Sequence, residues 1–504
     1  MKKYTLGYDI GSSSIKIALV ESTTYKSIAV VSEPQNEMPI STKQHEWAEQ
    51  DPEMWWEYLC KGTQRILKEN DLQANQIEAV GISYQMHGLV VLDREKNSLR
   101  DAIIWCDSRA VEIGAMAAED LGEAQFGSHL FNAPGNFTAS KLKWVKENEP
   151  ELYAKAAYFM LPGDYIAFKL TGEIATTIQG LSEAMLWDFK EKKVANWLLD
   201  YYGISTDLTP PLVTNFEDQG VVSTTGAKQT GLPKGIPLRY RAGDQPNNAL
   251  ALNILKAGEV AATGGTSGVL FAVSERNTSN EYYRVNHFAH VNYTPEKAMI
   301  GTLLCVNGSG IQYSWLRKLA HYTDYDSMNK RAEKIPIGSE GLINLPFGNG
   351  AERMLYNQSP GAQFLNLNLN RHHQGHLFRA ALEGIAFSFA YGMEIMQEDA
   401  LTIKVIRAGN DNLFRSSLFA TTVASLIGQP IEIYNTTGAI GAARAAAVRE
   451  GGLEAYSEKT ASVDQLGTVL PQKNKEAYLR AYEQWKIELK YQLNKQLKND
   501  SNRK

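Results

Sequence analysis

The sequence predicts an α/β protein of two domains, and three observations carry that expectation. A chain of 504 residues is too long for one hydrophobic core; at roughly 100–200 residues per domain, two to four are expected. Short apolar strand patterns alternate with segments of helical spacing, the order that builds sheets covered by helices. One local theme also occurs twice: strand, turn of small residues, strand, at Tyr4–Val20 and again at Glu259–Val273. Residue identity between the two copies is slight, so the duplication is one of architecture.

Taken in order, Tyr4–Ile10 reads as a strand, Gly11-Ser12-Ser13-Ser14 as a tight turn, and Ile15–Val20 as a second strand. Asp51 is placed to cap a helix whose first turn accepts Pro52. Met54, Tyr58, Leu59, Ile66 and Leu67 follow at helical spacing, and Trp47, Trp55 and Trp56 read as packing aromatics. Ile77–Ile82 is a buried-strand pattern leading into Tyr84-Gln85-Met86-His87-Gly88. The stretch from Pro210 to Gly235 is rich in turns. A short strand then ends at Arg241-Ala242-Gly243-Asp244, and a helix is expected from about Pro246. We expect a first domain over 1–240 and a second over 241–504. Arg371-His372-His373-Gln374-Gly375-His376 lacks acidic neighbours and precedes a helix at Leu377–Met393. It reads as a polar approach to that helix rather than a metal site. The last helix, about Gln472–Leu497, places Tyr478, Tyr482, Trp485 and Leu489 on one face.

Composition narrows the function classes. Hydrophobic residues at 43% and charged residues at 21% are ordinary for a folded globular chain. A net charge of -5 gives no positive field for a phosphodiester backbone, so nucleic acid is not expected as a partner. Only Lys490–Lys504 is locally basic, as a solvated helix end and tail would be. Cys60, Cys106 and Cys305 lie far apart without metal-ligand spacing, which suits a reducing compartment. Asp9 interrupts any apolar run after Lys2-Lys3, and no stretch approaches ~18 apolar residues. A cytoplasmic protein with no membrane partner is expected, and Asn277-Thr278-Ser279 is then a chance glycosylation triplet.

The first turn carries candidate chemistry. Gly11 and the serines after it offer N–H groups and hydroxyls to phosphate oxygens, Lys16 adds charge, and Asp9 can hold Mg2+ through water. The segment is neither a P-loop nor a GxGxxG turn. By itself, an ordinary hairpin is the better reading. The second turn, Gly264-Gly265-Thr266-Ser267-Gly268, changes the balance: two small-residue hairpins, one per domain, suit a nucleotide's phosphates held across a cleft. Asp244 follows a strand at a helix start. Spacing leaves it either a helix cap or the base that accepts a proton from an attacking hydroxyl.

The motifs DIGSSSIK, WAEQDPEMWW, GISYQMHG, AIIWCDSRA, FTASKLKWV, GDQPNNA, GGTSG, ALEGIAF and TTGAIGAA run in order through nearly the whole chain. They resemble the FGGY carbohydrate-kinase family, which includes glycerol kinase, gluconate kinase and xylulokinase. The resemblance implies two actin-like (ribonuclease H-like) domains around a central cleft, with ATP and Mg2+ as cofactors and sugar and ATP as small-molecule partners. By motif, it implies that Asp9 is the catalytic aspartate associated with phosphate and metal, and that Asp244 is the catalytic base. Gly11, Ser12, Ser13 and Lys16 with Gly265, Thr266 and Ser267 would hold the phosphates, and Gly409, Asn410 and Asn412 the adenine or ribose. Homodimerisation rests on the resemblance alone.

Within the family, Gln85-Met86-His87-Gly88 resembles xylulokinase, in which Met and His contact the ketopentose, whereas glycerol kinases carry an Arg-Glu pair there. Imidazole can donate to and accept from sugar hydroxyls, and Met86 supplies an adaptable apolar wall. Trp105 and Asp107 would shape the sugar pocket, although Trp105 could equally be a core aromatic. The sequence departs from the family pattern at Asp244-Gln245, where xylulokinases carry Asp-Asn. It departs again at Arg407–Asn412, where Gly-Gly-Gly-Ala is typical, and at Gly350-Ala351-Glu352-Arg353, one residue longer than the family's Gly-Glu-Arg turn. The expected reaction is phosphorylation of D-xylulose to its 5-phosphate. The alternatives are ribulose, fuculose, gluconate or glycerol as substrate, or a non-catalytic nucleotide or sugar sensor. The missing fingerprint glycines argue against an NAD-dependent dehydrogenase.

Overall fold

A computed structural model of the chain describes residues 2–276, 278–449 and 452–501. Asn277 of the glycosylation triplet and residues 502–504 of the basic tail lie outside them. The first sheet has five strands in the spatial order Leu238–Gly243, Ile77–Tyr84, Tyr4–Ile10, Ile15–Glu21, Ser27–Glu33. The first three run parallel and the last two fold back as antiparallel hairpins. In the seven-stranded second sheet, five strands repeat this order and these directions: Ile431–Tyr434, Val405–Gly409, Glu259–Gly264, Gly268–Glu275, Met299–Val306. Antiparallel edge strands, Asn286–Ala289 and Gln465–Val469, are added outside them. The duplicated hairpin was thus the visible part of a duplicated sheet, in the actin-like two-domain arrangement.

Local sequence explains the elements that position the site. The Asp51 side chain accepts from the Glu53 N–H at 2.9 Å, and Pro52 opens the helix Pro52–Glu69, where its missing N–H costs nothing. That helix buries Trp55, Trp56, Leu59, Ile66 and Leu67 and leaves Met54 and Tyr58 at the margin. Trp47 stacks on the Arg109 guanidinium, 3.8 Å from its ring centre. The helix Gly438–Ala446, from the second half of the chain, packs on the first sheet so closely that glycine is required beneath it. A Cβ on Gly7 would lie 2.0 Å from the Ala439 carbonyl oxygen, and one on Gly81 2.2 Å from that of Ala442.

The boundary expected near 240 falls inside the strand Leu238–Gly243. The helix after it begins at Asp244 rather than at Pro246, because a proline in the first turn removes an N–H that has no helical partner in any case. His373 caps the helix Gln374–Glu398 through its Nδ1, which accepts from the Gly375 N–H at 3.1 Å. The last helix, Lys475–Ser501, buries Tyr478, Tyr482, Trp485 and Leu489, and Trp485 Nε1–H donates to the Asn344 carbonyl at 2.8 Å. No helix among the described residues is long and apolar enough to cross a membrane.

Candidate active site

The site forms at the carboxyl ends of three neighbouring parallel strands. Tyr4–Ile10 carries Asp9 as its last residue but one, Ile77–Tyr84 runs into Gln85-Met86-His87, and Leu238–Gly243 runs into Asp244. Asp9 pairs in register with Lys16 on one side and Ser83 on the other, and Ser83 Oγ–H donates to Asp9 Oδ1 at 2.9 Å. Burial raises the Asp9 pKa above the usual carboxylate range, while Lys16 and Ser83 pull it back. The start of the helix Gly438–Ala446 touches the same place. A Cβ on Gly438 would meet Asn248 Oδ1 at 2.8 Å and Asp9 Oδ2 at 3.0 Å, so these two oxygens converge.

Asp244 is the first residue of the helix Asp244–Ala251, and Gly243 occupies the cap position without a side-chain bond. The capping alternative is therefore not what is observed. Burial, then the neighbouring Asp9 charge, raise its pKa from 3.8 to about 7, against the pull of helix-start N–H groups. Met86 and Glu183 close on the backbone just before it: a Cβ on Gly243 would lie 2.5 Å from Met86 Cγ and 2.3 Å from Glu183 Oε2. Glu183 is buried, and its Oε1 has no hydrogen-bond partner. Burial first, and then Asp244, push its carboxyl well above the usual range.

His87 has φ 60°, an uncommon conformation for a non-glycine residue. The buried Lys141 Nζ pins this turn, donating to the His87 carbonyl at 2.8 Å and to the Ile104 carbonyl at 3.0 Å. Burial lowers the Lys141 pKa to about 7. His87 Nδ1 lies 2.8 Å from the Glu183 carbonyl. A carbonyl only accepts, so Nδ1 carries the hydrogen. Burial, reinforced by Lys141, lowers the ring's pKa to about 3, so the imidazole is neutral and Nε2 is left as an acceptor. The ring packs edge-on against Phe137 at 4.9 Å and beside Phe288 of the second sheet at 5.3 Å.

Trp105 is not a core aromatic: it is 53% exposed, and its Nε1–H donates to Ser12 Oγ at 3.2 Å, at the first turn. Asp107 is withdrawn from direct sugar contact. It is fully buried, and both its oxygens are taken up, by the Ala48 N–H at 2.6 Å, the Arg109 N–H at 3.0 Å and the Arg109 guanidinium at 2.6–2.9 Å. No acceptor capacity is left for a ligand.

The first turn is closed by Gly11 N–H on the carbonyls of Asp9 (3.2 Å) and Ser14 (3.1 Å), and Gln50 Nε2 holds the Ser12 carbonyl at 2.7 Å. Ser13 and Lys16 are exposed. The second turn is tied to the start of the helix Gly310–Leu319, whose Gly310 and Ile311 N–H groups donate to the carbonyls of Gly265 (3.1 Å) and Thr266 (3.0 Å). Beside it opens a cavity of about 210 Å3 lined by Gly264, Gly265, Thr266, Ile311, Tyr313, Tyr325, Asn329 and Asn412 among others. Of the residues expected around the nucleotide base, Asn412 lines this cavity. Gly409 and Asn410 do not: Gly409 is buried, and the exposed Asn410 is tied by its N–H to the Tyr434 carbonyl at 2.8 Å. Tyr313 and Tyr325, stacked at 5.7 Å, were not legible as site residues because they lie on ordinary amphipathic helices. The available signal was Gly308-Ser309-Gly310, small residues directly before one of them. Lys141 and Glu183 were likewise missed.

No cluster of three or more metal-ligating side chains exists among the described residues. Asp9, with Asn248 beside it, instead offers hard oxygen donors in a place where a carboxylate lacks full compensation. That set fits Mg2+, which dehydrates reluctantly and is shared between one or two carboxylates and substrate phosphates.

Sequence models of the N-terminal and C-terminal domains of the FGGY family of carbohydrate kinases match residues 4–251 and 260–450. A protein of Bacillus subtilis (strain 168) named xylulose kinase is 30% identical over 470 residues, 90% of each chain. The crystal structure of xylulose kinase from Rhodospirillum rubrum superposes with a TM-score of 0.86 at 25% identity, covering 96% of this chain and 98% of that one. Gluconate kinase from Lactobacillus acidophilus gives the same TM-score, 0.86, at 21% identity over 98% and 99% of the two chains, a likeness of fold. The chain belongs to the FGGY family of carbohydrate kinases and is a phosphotransferase acting on an alcohol group.

Proposed function

We propose that this carbohydrate kinase transfers the γ-phosphate of Mg-ATP to a ketopentose, D-xylulose first, giving the 5-phosphate. The observation that supports this reading is that Met86 and Glu183 close on Gly243 just before Asp244, a carboxyl whose pKa is raised to about 7, while His87 Nδ1 is tied to the Glu183 carbonyl and leaves Nε2 as an acceptor. A base of that pKa is half-ionised at neutral pH and can both take up and release a proton. As the sugar oxygen bonds to the γ-phosphorus, its hydrogen passes to Asp244, and the bond to the ADP oxygen breaks with its electron pair leaving on ADP. Little covalent work is required beyond this; positioning and charge compensation do the rest.

Asp9, with Asn248 beside it, would hold Mg2+ arriving with the nucleotide, and the ion would offset negative charge on the phosphates. The turns Gly11–Ser13 with Lys16 and Gly265–Ser267 serve the phosphates, and the cavity lined by Tyr313, Tyr325 and Asn412 serves the base. Xylulose is favoured by Met86-His87, where an Arg-Glu pair would suit glycerol, and by relatives bearing the name xylulose kinase. A coupled ADP-release assay over ketopentoses, polyols and sugar acids tests the reading. D-xylulose should give the highest kcat/KM; glycerol or gluconate ahead of every ketopentose by tenfold (~1.4 kcal/mol) would overturn the substrate.

A further inference from the structure

The turn Gly350-Ala351-Glu352-Arg353 is held rigidly. Glu352 accepts two backbone bonds of 3.0 Å, Oε1 from the Gly308 N–H and Oε2 from the Asn307 N–H. The same loop, at Gly310 and Ile311, is tied to the second phosphate turn. Arg353 is therefore carried on the fixed part of the second domain, yet its guanidinium has little to hold. Among the described residues its single hydrogen bond is from Nη2 to the Tyr282 carbonyl at 2.9 Å. No carboxylate among the described residues pairs with it, and its Nε is buried without a partner among them. Burial without a counter-charge pulls its pKa down to about 10. A half-buried cation with a buried donor left in this way is costly unless a ligand completes it.

The surroundings of Arg353 point to the sugar side of the cleft. The Tyr282 carbonyl that it holds also accepts from the Ala133 N–H of the first domain at 3.2 Å. Along the same segment, Asn132 bridges the His287 backbone with bonds of 2.6 and 2.7 Å, and Phe288 packs against the His87 ring at 5.3 Å. Residues 282–288 thus form a seam between the domains, with Arg353 and His87 both against it. The guanidinium charge is felt by His87, and Cys305 feels both Arg353 and Asp244.

We propose that Arg353 is the sugar-binding residue of the second domain, donating hydrogen bonds to an oxygen of the sugar. The inference rests on the placement of the sugar between His87 and Asp244 given above. With Asp244 ionised, as a base must be, both groups are acceptors and serve the hydroxyl hydrogens of a sugar. An oxygen with no hydrogen to offer, such as a ketose carbonyl, needs a donor, and the free N–H groups of Arg353 supply it. Because the donor and His87 sit on different domains, the sugar itself would join them.

The test compares wild type, Arg353→Gln and Arg353→Lys as full-length protein with Mg-ATP and D-xylulose. Arg353→Gln should raise the sugar KM about tenfold or more, as loss of a charge-assisted hydrogen bond does, with the ATP KM within about twofold. Its unfolding temperature without sugar should match or exceed wild type, since a half-buried cation without a counter-charge has gone. The rise in that temperature on adding D-xylulose should be lost, and Arg353→Lys should be intermediate. An unchanged sugar KM with the sugar-induced rise retained would overturn the proposal. So would a lower unfolding temperature with kcat and both KM values altered together (a structural clamp on Tyr282), or a rise in the ATP KM alone (a phosphate contact). If wild type prefers another acceptor, the same comparison on that acceptor decides the role of Arg353, and only the ketopentose reading fails.

Discussion

Replacing Asp244 with asparagine should move activity and stability in opposite directions. The amide has nearly the shape of the carboxylate, and because Gly243 is the cap, the helix loses no capping bond. It cannot accept the hydroxyl proton, so turnover should fall on the order of 10²–10⁴-fold. The stability effect comes from the raised pKa. Moving a carboxyl from 3.8 to about 7 means that burial and the Asp9 charge disfavour the ionised form by about 4 kcal/mol at 1.36 kcal/mol per pH unit. Between those pH values the folded state binds the extra proton, so folding stability falls as pH rises from about 4 to 7, and the full penalty is present above 7. Asparagine carries no charge at any pH. Free of ligands and Mg2+, Asp244→Asn should therefore unfold at a higher temperature than wild type at pH 8, and the gap should close toward pH 5. The amide's own burial takes back part of the ~4 kcal/mol. At about 2–4 °C per kcal/mol for a domain of this size, a gain of several degrees is expected. Thermal unfolding at the two pH values, with ADP release and nucleotide binding on the same samples, measures every term. Near-normal turnover in a folded variant would remove Asp244 as the base. A variant less stable than wild type at pH 8 would refute the account in which burial and Asp9 raise the pKa.

Two further perturbations probe the pocket and the cleft. His87→Ala should lower kcat/KM for the sugar by ~1–3 kcal/mol, the cost of removing one buried hydrogen-bonding group, with the ATP KM nearly unchanged; unaltered sugar kinetics in a folded protein would leave His87 a structural residue. Sugar and a non-hydrolysable ATP analogue together should compact the protein more than either alone, since each domain carries one phosphate turn and Trp105 stands exposed beside the first. Equal radii of gyration by small-angle scattering in all ligand states would rule out that closure.

What the sequence showed of this site is what neighbouring residues decide. Gly11–Ser14 and Gly264–Gly268 were legible as turns because small residues between alternating apolar runs leave a chain few other conformations. Asp51-Pro52 was legible as a helix start because the cap and the first turn are contiguous. The fate of Asp107 was not legible, since its oxygens are consumed by Ala48, far back along the chain, as well as by Arg109 nearby. The same holds for Lys141, whose ammonium meets the carbonyls of His87 and Ile104 from a helix far along the chain. Asp244 could not be separated from a cap because Pro246 blurs a helix start by two residues, and the distinction depends on that margin.

The duplicated sheet explains why the chemistry is nevertheless concentrated where it is. In each sheet the three parallel strands end on the same side, and the residues just beyond those ends differ between the domains. In the first, the ends carry Asp9, then Met86 and His87, then Asp244. In the second, the matching ends carry the Gly264–Gly268 turn, the Asn410–Asn412 loop, and the Thr436-Thr437-Gly438 approach to the helix that returns to Asp9. Ligands gather beyond the carboxyl ends of parallel strands because loops there converge without blocking one another. On the proposed reading, one architecture used twice separates the work: the first copy takes acceptor groups for a sugar, the second small residues and amides for a nucleotide. The role of base proposed for Asp244 depends on this placement. Its pKa near 7 comes from burial and from Asp9 two strands away, so the two aspartates form a functional pair by sheet order, whatever their separation along the chain.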